Sequence, residues 1–145
     1  MTKHQVYLSL GSNLGRREEN LTKAIQLIAE RIGTVVRQSS FIETAPWGFH
    51  SEHQFMNAAI LCQTEKTPRE VLQLTQQIEK EMGRKRKTPP SSLHPPHYSD
   101  RCIDIDILLY DELTVDEPDL KIPHPLMLER DFVMIPLKQI TNPIK

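Results

Sequence analysis

Asp104 and Asp106 are the residues in this chain best placed to do chemistry. They lie in the run Asp100-Arg101-Cys102-Ile103-Asp104-Ile105-Asp106-Ile107-Leu108-Leu109-Tyr110, where apolar residues fill alternate positions in the manner of a β-strand. On that reading Ile103, Ile105, Ile107 and Leu109 face one way, and Asp104 and Asp106 face the other with Leu108 and Tyr110 behind them. Successive side chains on one strand face stand roughly 6–7 Å apart, so the two carboxylates could bracket one or two divalent cations. Two ionised carboxylates on a central strand repel each other and resist burial, and aspartate is disfavoured in strands. An edge strand with a solvated acidic face would explain the pair without any chemistry. The long apolar partner face and Leu108 favour a central strand instead. A few hard oxygen ligands suit Mg2+, which keeps several waters and leans on substrate phosphates. The chemistry indicated is phosphate chemistry with magnesium.

Other candidates are weaker. Arg84-Lys85-Arg86-Lys87 would complement a helix dipole, but beside a carboxylate pair the arginines also suit polyphosphate. Gly11-Ser12-Asn13-Leu14-Gly15 could cradle a phosphate, yet no Gly-Lys-Ser/Thr follows, so it reads better as a tight turn with helix capping. The segment Ala45-Pro46-Trp47-Gly48-Phe49-His50-Ser51-Glu52-His53-Gln54 holds the only tryptophan and reads equally as a functional loop or as a cover for the core edge. His94 and His97 have metal-like spacing without further ligands nearby, and zinc is not expected there. His124, between Pro123 and Pro125, is rigidly held, which favours a placed ligand over a loose surface residue.

The elements that must position these residues follow from periodicity. Val6, Leu8 and Leu10 alternate in a first strand. Glu18 to Ile32 is a helix with the stripe Leu21, Ala24, Ile25, Ile28 and Ile32, stopped by Gly33. Thr34 to Thr44 and Phe55 to Thr64 read as strands two and three. Thr67-Pro68-Arg69-Glu70 is a capping box opening a second helix, with Val71, Leu74, Thr75, Ile78 and Met82 toward the core and Gly83 at its end. Thr88 to Ser99 is rich in proline and cannot be helix or interior strand. After the aspartate strand come a short hairpin, Leu113–Val115 with Leu120–Ile122, and a helical segment from Phe132 to Leu137. The order strand, helix, strand, strand, helix, strand predicts a ferredoxin-like βαββαβ fold of the α+β class. Its sheet is mostly antiparallel, with helices on one face and the site on the other.

Composition sets the bounds. A chain of 145 residues fits one domain, 1–145, with a core that needs no staples. A net charge of −1 recruits neither nucleic acid nor acidic membranes. No apolar run is long enough to span a membrane, and Met1-Thr2-Lys3-His4 opens no signal-peptide core. Cys62 and Cys102, both in predicted strands, read as small buried hydrophobes in a reducing cytosol.

Three segments together carry a family resemblance: Gly11-Ser12-Asn13-Leu14; Arg101-Cys102-Ile103-Asp104-Ile105-Asp106-Ile107-Leu108; and Ile122-Pro123-His124 with Glu129-Arg130-Asp131-Phe132. Over nearly its whole length the chain closely resembles the 6-hydroxymethyl-7,8-dihydropterin pyrophosphokinase family. The resemblance implies transfer of a pyrophosphoryl group from ATP to the pterin's hydroxymethyl oxygen, releasing AMP, in folate biosynthesis. It implies two Mg2+ ions on Asp104 and Asp106, with Arg84 and Arg101 steadying the transferred group. It implies Arg86, Glu79, His124 and Arg130 on the nucleotide, and Leu72 and Ile107 along the adenine. It implies Thr44, Ala45, Pro46, Trp47 and Asn57 around the pterin, and Phe55 and Phe132 sandwiching it. A flat ring system with a polar edge wants two such rings and a few amide-like partners.

Three features depart from the family pattern. The segment before Arg101 is long and rich in proline and lacks a lid tryptophan, with Tyr98 the nearest aromatic; Pro125 replaces a frequent tyrosine; and Trp47 replaces a smaller apolar residue. Competing readings are another two-metal phosphotransferase or phosphohydrolase on the same scaffold, and a ferredoxin-like module binding RNA or an effector. The second would want exposed aromatics on its sheet and a basic surface, which this chain does not offer. The chain is expected to act as a cytoplasmic monomer on small-molecule substrates.

Overall fold

The structure, a computed structural model, describes residues 3–44, 54–83 and 102–141. Its elements run β1 (His4–Ser12), α1 (Arg17–Arg31), β2 (Thr34–Gln38), β3 (Ile42–Thr44), β4 (Phe55–Thr64), α2 (Pro68–Glu81), β5 (Asp104–Tyr110), β6 (Val115–Glu117), β7 (Leu120–Ile122), a 3-10 turn (Met127–Glu129) and α3 (Asp131–Thr141). The main sheet has the order β2-β4-β1-β5, with β3 also paired to β4, and every pairing is antiparallel. This is the predicted α+β arrangement. The predicted second strand is broken in two. The register shifts between Val35 and Arg37, and Ser39 then holds the chain to β4 with both its groups. Its N–H donates to the Ala59 carbonyl and its hydroxyl accepts from the Ala59 N–H, each at 2.9 Å.

α1 and α2 cover one face. Leu21, Ala24 and Ile28 of α1 and Val71, Leu72 and Ile78 of α2 pack on Val6, Leu8, Leu10, Ala58, Ile60, Ile105 and Ile107. The capping box of α2 is fully made: the Thr67 hydroxyl accepts from Glu70 N–H at 3.1 Å, and the Glu70 carboxylate accepts from Thr67 N–H at 2.9 Å. The opposite face is partly covered by α3, which extends beyond the short segment expected. Its Val133, Leu137 and Ile140 close a second apolar cluster over Ala59, Leu61 and Leu108. No helix among the described residues is long and apolar enough to cross a membrane.

β5 departs from expectation in two ways. It ends the strand order and is not central. Its outer edge is covered instead: the Glu79 carboxylate accepts from Ile105 N–H at 2.7 Å, and His124 N–H donates to the Leu108 carbonyl at 3.0 Å. A bulge also changes its phase. Tyr7 pairs with Leu109 and Leu8 with Ile107, so Leu108 is the extra residue. Ile103, Ile105 and Ile107 face the main core as expected, but beyond the bulge Tyr110 joins them and Leu109 turns toward α3. The strand starts at Asp104, so half-buried Cys102 precedes it, while Asp100 and Arg101 lie outside the described residues.

Candidate active site

The aspartate pair is built by the unbulged half of β5. Asp104 stands opposite Gly11 and Asp106 opposite Ser9 on β1, both half-buried on the face away from α1 and α2. Both cross-strand neighbours, Gly11 and Ser9, are small.

Two nitrogen groups come from the chain after β7. His124 is 8% exposed, and its Nε2 lies 4.0 Å from an Asp106 oxygen. Its Nδ1 accepts from the Leu126 N–H at 3.3 Å, which assigns the proton of the neutral ring to Nε2, facing Asp106. Arg130 precedes α3, is buried, and carries its guanidinium carbon 5.5 Å from the centre of the Phe132 ring. Burial pushes its pKa down to about 10, so it stays a fixed cation at neutral pH.

The aromatic and amide groups belong to β4. Phe55 and Asn57 share a face because they are two residues apart. Asn57 is buried, and its side-chain N–H donates to the Thr44 hydroxyl at 2.6 Å, tying β4 to β3. Gly11 completes the slot. A Cβ there would sit 2.9 Å from the Asn57 side-chain oxygen and 3.4 Å from the Phe55 ring. The pattern Gly11-Ser12-Asn13-Leu14-Gly15 predicts Gly11 in a turn. The structure keeps it inside β1 and begins the turn after Asn13, with Gly15 in the left-handed region at φ +67°. Among the described residues no side chain caps α1; the Asn20 amide donates instead to the Ser12 hydroxyl at 3.1 Å and the Leu14 carbonyl at 2.9 Å. The signal for Gly11 was present, since a glycine inside a strand often marks a close approach.

Comparison with known proteins identifies the family. The sequence profile described as 7,8-dihydro-6-hydroxymethylpterin-pyrophosphokinase (HPPK) matches residues 7–142. The chain belongs to this family. It is 46% identical over 136 residues to the 2-amino-4-hydroxy-6-hydroxymethyldihydropteridine pyrophosphokinase of Porphyromonas gingivalis, covering 93% of this chain and 89% of that one. The Bacillus subtilis protein of the same name is 39% identical over 140 residues, with 96% and 79% covered. A mitochondrial folate synthesis bifunctional protein of Arabidopsis thaliana is 37% identical over 136 residues, 94% of this chain but 23% of its own length. Among solved structures, a Plasmodium falciparum HPPK-DHPS A437G with SDX-DHP superposes with a TM-score of 0.74 at 15% identity. That match spans 99% of this chain and 43% of the solved one, and it supports the fold. The chain is accordingly a pyrophosphokinase of folate biosynthesis with ATP as co-substrate.

The predicted site residues fall into three groups. Asp104, Asp106, His124, Thr44, Asn57 and Phe55 gather along neighbouring strands or the β5 edge, with Arg130 over Phe132 nearby in sequence at the start of α3. Leu72 and Ile107 sit in the main core, and Glu79 is buried with one oxygen on Ile105 N–H. Arg84, Arg86, Arg101, Ala45, Pro46 and Trp47 lie outside the described residues.

Proposed function

We propose that this chain transfers the pyrophosphoryl group of ATP to the hydroxymethyl oxygen of 6-hydroxymethyl-7,8-dihydropterin, with Mg2+ held by Asp104 and Asp106. One observation carries this reading. Gly11 faces Asn57 on one side and Asp104 on the other. The ring slot and the acidic pair are therefore two strand spacings apart, about 10 Å, close enough for one pterin to reach phosphates gathered at the carboxylates.

The donor set fits magnesium. It consists of two carboxylates on one strand face, and among the described residues no group of three or more His, Cys, Asp and Glu side chains forms a complete cage. A cation bound here would take its remaining ligands from water and substrate phosphates, as Mg2+ does, and family resemblance favours two ions. When bound, Mg2+ neutralises charge on the phosphate oxygens. The remaining work falls to side chains. Phe55 and Phe132 stack the pterin, and Asn57 and Thr44 meet its polar edge, with Ala45, Pro46 and Trp47 completing the wall. His124 Nε2–H and the Arg130 guanidinium donate to phosphate oxygens, and Arg84, Arg86 and Arg101 add positive charge along the triphosphate. Leu72 and Ile107 border the adenine. Glu79 contributes by fixing the backbone between the two aspartates. The hydroxyl attacks the β-phosphorus directly and AMP leaves, so placement and charge supply the catalysis. The chain works as one cytoplasmic domain and as a monomer, without nucleic acid or membrane, in keeping with its net charge of −1.

The test is product analysis with ATP, Mg2+ and the hydroxymethyl-dihydropterin. AMP and a pterin diphosphate are expected. Asp104→Ala and Asp106→Ala should each lower turnover by roughly 10²–10³-fold or more while circular dichroism and thermal melting are retained. Release of ADP or phosphate, or turnover unchanged in both variants, would overturn the assignment.

A further inference from the structure

Arg17, the first residue of α1, makes contacts that the reaction itself does not call for. One of its guanidinium nitrogens donates to the Gln54 carbonyl at 2.7 Å, and the other meets the Glu43 carboxylate at 2.6 Å. Both partners lie at the outer end of one wall of the slot: Glu43 precedes Thr44 on β3, and Gln54 precedes Phe55 on β4. Thr44 and Phe55 are the last pair of the β3–β4 ladder, and the Thr44 hydroxyl also accepts from the amide of Asn57, two residues inward on β4. Arg17 thus ties the outer end of the β3–β4 pair to the turn after β1. That turn is itself held by Asn20 on Ser12 and Leu14.

We infer that Arg17 is a positioning residue for the pterin. It acts through Glu43 and Gln54 to hold Phe55, Asn57 and Thr44 at a fixed spacing from Gly11. The argument is geometric. The slot has two walls on different strands, Gly11 on β1 and the β3–β4 pair, and ladder bonds alone set their separation only inside the sheet. At the outer rim, where β3 ends, a planar two-pronged donor bridging a carboxylate and a carbonyl fixes it from a third element. The guanidinium is about a quarter exposed and its partner carboxylate about half, so its effect on global stability is small. Among the described residues its guanidinium bonds Gln54 and Glu43, not Asp104, Asp106, His124 or Arg130, so nucleotide binding should not depend on it.

The inference rests on the proposed pterin site, and the experiment separates the two. Wild-type protein is first assayed for AMP and pterin diphosphate; failure there removes the functional reading itself. Pterin binding is then followed by pterin fluorescence in the presence of Mg2+ and the α,β-methylene analogue of ATP, and binding of that analogue is measured by calorimetry. Arg17→Ala should weaken pterin about three- to tenfold, leave the analogue within about twofold and barely move the melting temperature. Arg17→Lys, a point charge that cannot span both partners, should recover only part of the loss. Glu43→Gln, which keeps the backbone and the Gln54 contact, should give a smaller loss of the same kind and serves if Arg17→Ala does not fold. Pterin affinity unchanged in both Arg17→Ala and Glu43→Gln would overturn the inference. So would a parallel loss of pterin and nucleotide binding with a lowered melting temperature, because that pattern belongs to a purely structural bridge.

Discussion

Gly11→Ala is the sharpest test of how the slot is built. The φ of Gly11 lies outside the left-handed region, so alanine meets no backbone strain, and the effect comes from one methyl group. That methyl would lie 2.9 Å from the Asn57 side-chain oxygen, whereas ordinary contact begins at 3.4 Å, so the amide must retreat by about 0.5 Å. Asn57 is buried and bonded to Thr44 at 2.6 Å, so retreat stretches or breaks that bond. Losing it costs about 1 kcal/mol, and crowding a packed site costs about 1–3 kcal/mol. The reduced freedom of the unfolded chain returns about 0.4–1 kcal/mol. The net loss is therefore about 1–3.6 kcal/mol, or roughly 3–11 °C in melting temperature for a chain of this size. The nearest atoms to the new methyl are all on Asn57 and Phe55, so the damage falls on the proposed pterin slot and not on the acidic pair. Pterin affinity should drop about tenfold or more, with ATP affinity retained. Thermal melting and pterin fluorescence read both quantities. In an Asn57→Ala background, which removes the clashing oxygen, adding Gly11→Ala should cost clearly less than it does alone. Strict additivity of the two substitutions, or wild-type pterin affinity in Gly11→Ala, would refute the packing argument.

Other outcomes follow from single contacts. Glu79→Leu leaves Ile105 N–H without its acceptor and should cost about 1–3 kcal/mol, lowering kcat more than it raises KM for ATP, while Glu79→Gln, whose amide oxygen can still accept, should lose less. Burial alone would raise the Asp111 pKa, but hydrogen bonds from Gln5 N–H at 2.7 Å and His4 at 2.6 Å outweigh it and hold the group below its ordinary 3.8. Its folded value is thus the lower one. Its contribution to stability is complete above 3.8 and disappears as pH falls through the folded value, so Asp111→Asn should flatten the acid limb of a melting-temperature profile in that range. Burial pushes the Cys62 thiol up to about 11, so iodoacetamide at pH 8 should leave it unmodified in the folded protein and alkylate it after unfolding. Native modification of Cys62 ahead of half-buried Cys102, read by peptide mass, would contradict that burial.

What the sequence made legible was what repeats along it. The stripes of α1 and α2, the Thr67–Glu70 capping box and the alternation in β1 and β4 were all readable because each is a local pattern on a regular element. The two aspartates were readable for the same reason. Their common face is fixed by an unbroken stretch of β5, and the bulge at Leu108 begins only after Asp106. Past the bulge the same rule failed, exchanging Leu109 and Tyr110, because an inserted residue leaves no mark in an apolar run. The edge position of β5 was hidden for a related reason. A strand buried on both sides of its edge by Glu79 and His124 has the composition of a central one.

The roles that escaped a linear reading are those in which one residue acts through a partner distant in sequence. Gly11 matters through Asn57, Glu79 through Ile105, and Arg17 through Glu43 and Gln54. On the proposed reading, each of these holds a binding or reacting group in place, and a shift of a few tenths of an ångström there changes the distance between the ring slot and the acidic pair. Transfer without a covalent intermediate depends on that distance more than on any single side chain, because the hydroxyl must be delivered in line with the phosphorus. On the proposed reading, a small residue between Asn57 and Asp104 serves catalysis as much as the carboxylates do. A variant that keeps both aspartates but widens the slot should fail on pterin affinity and turnover while still binding nucleotide.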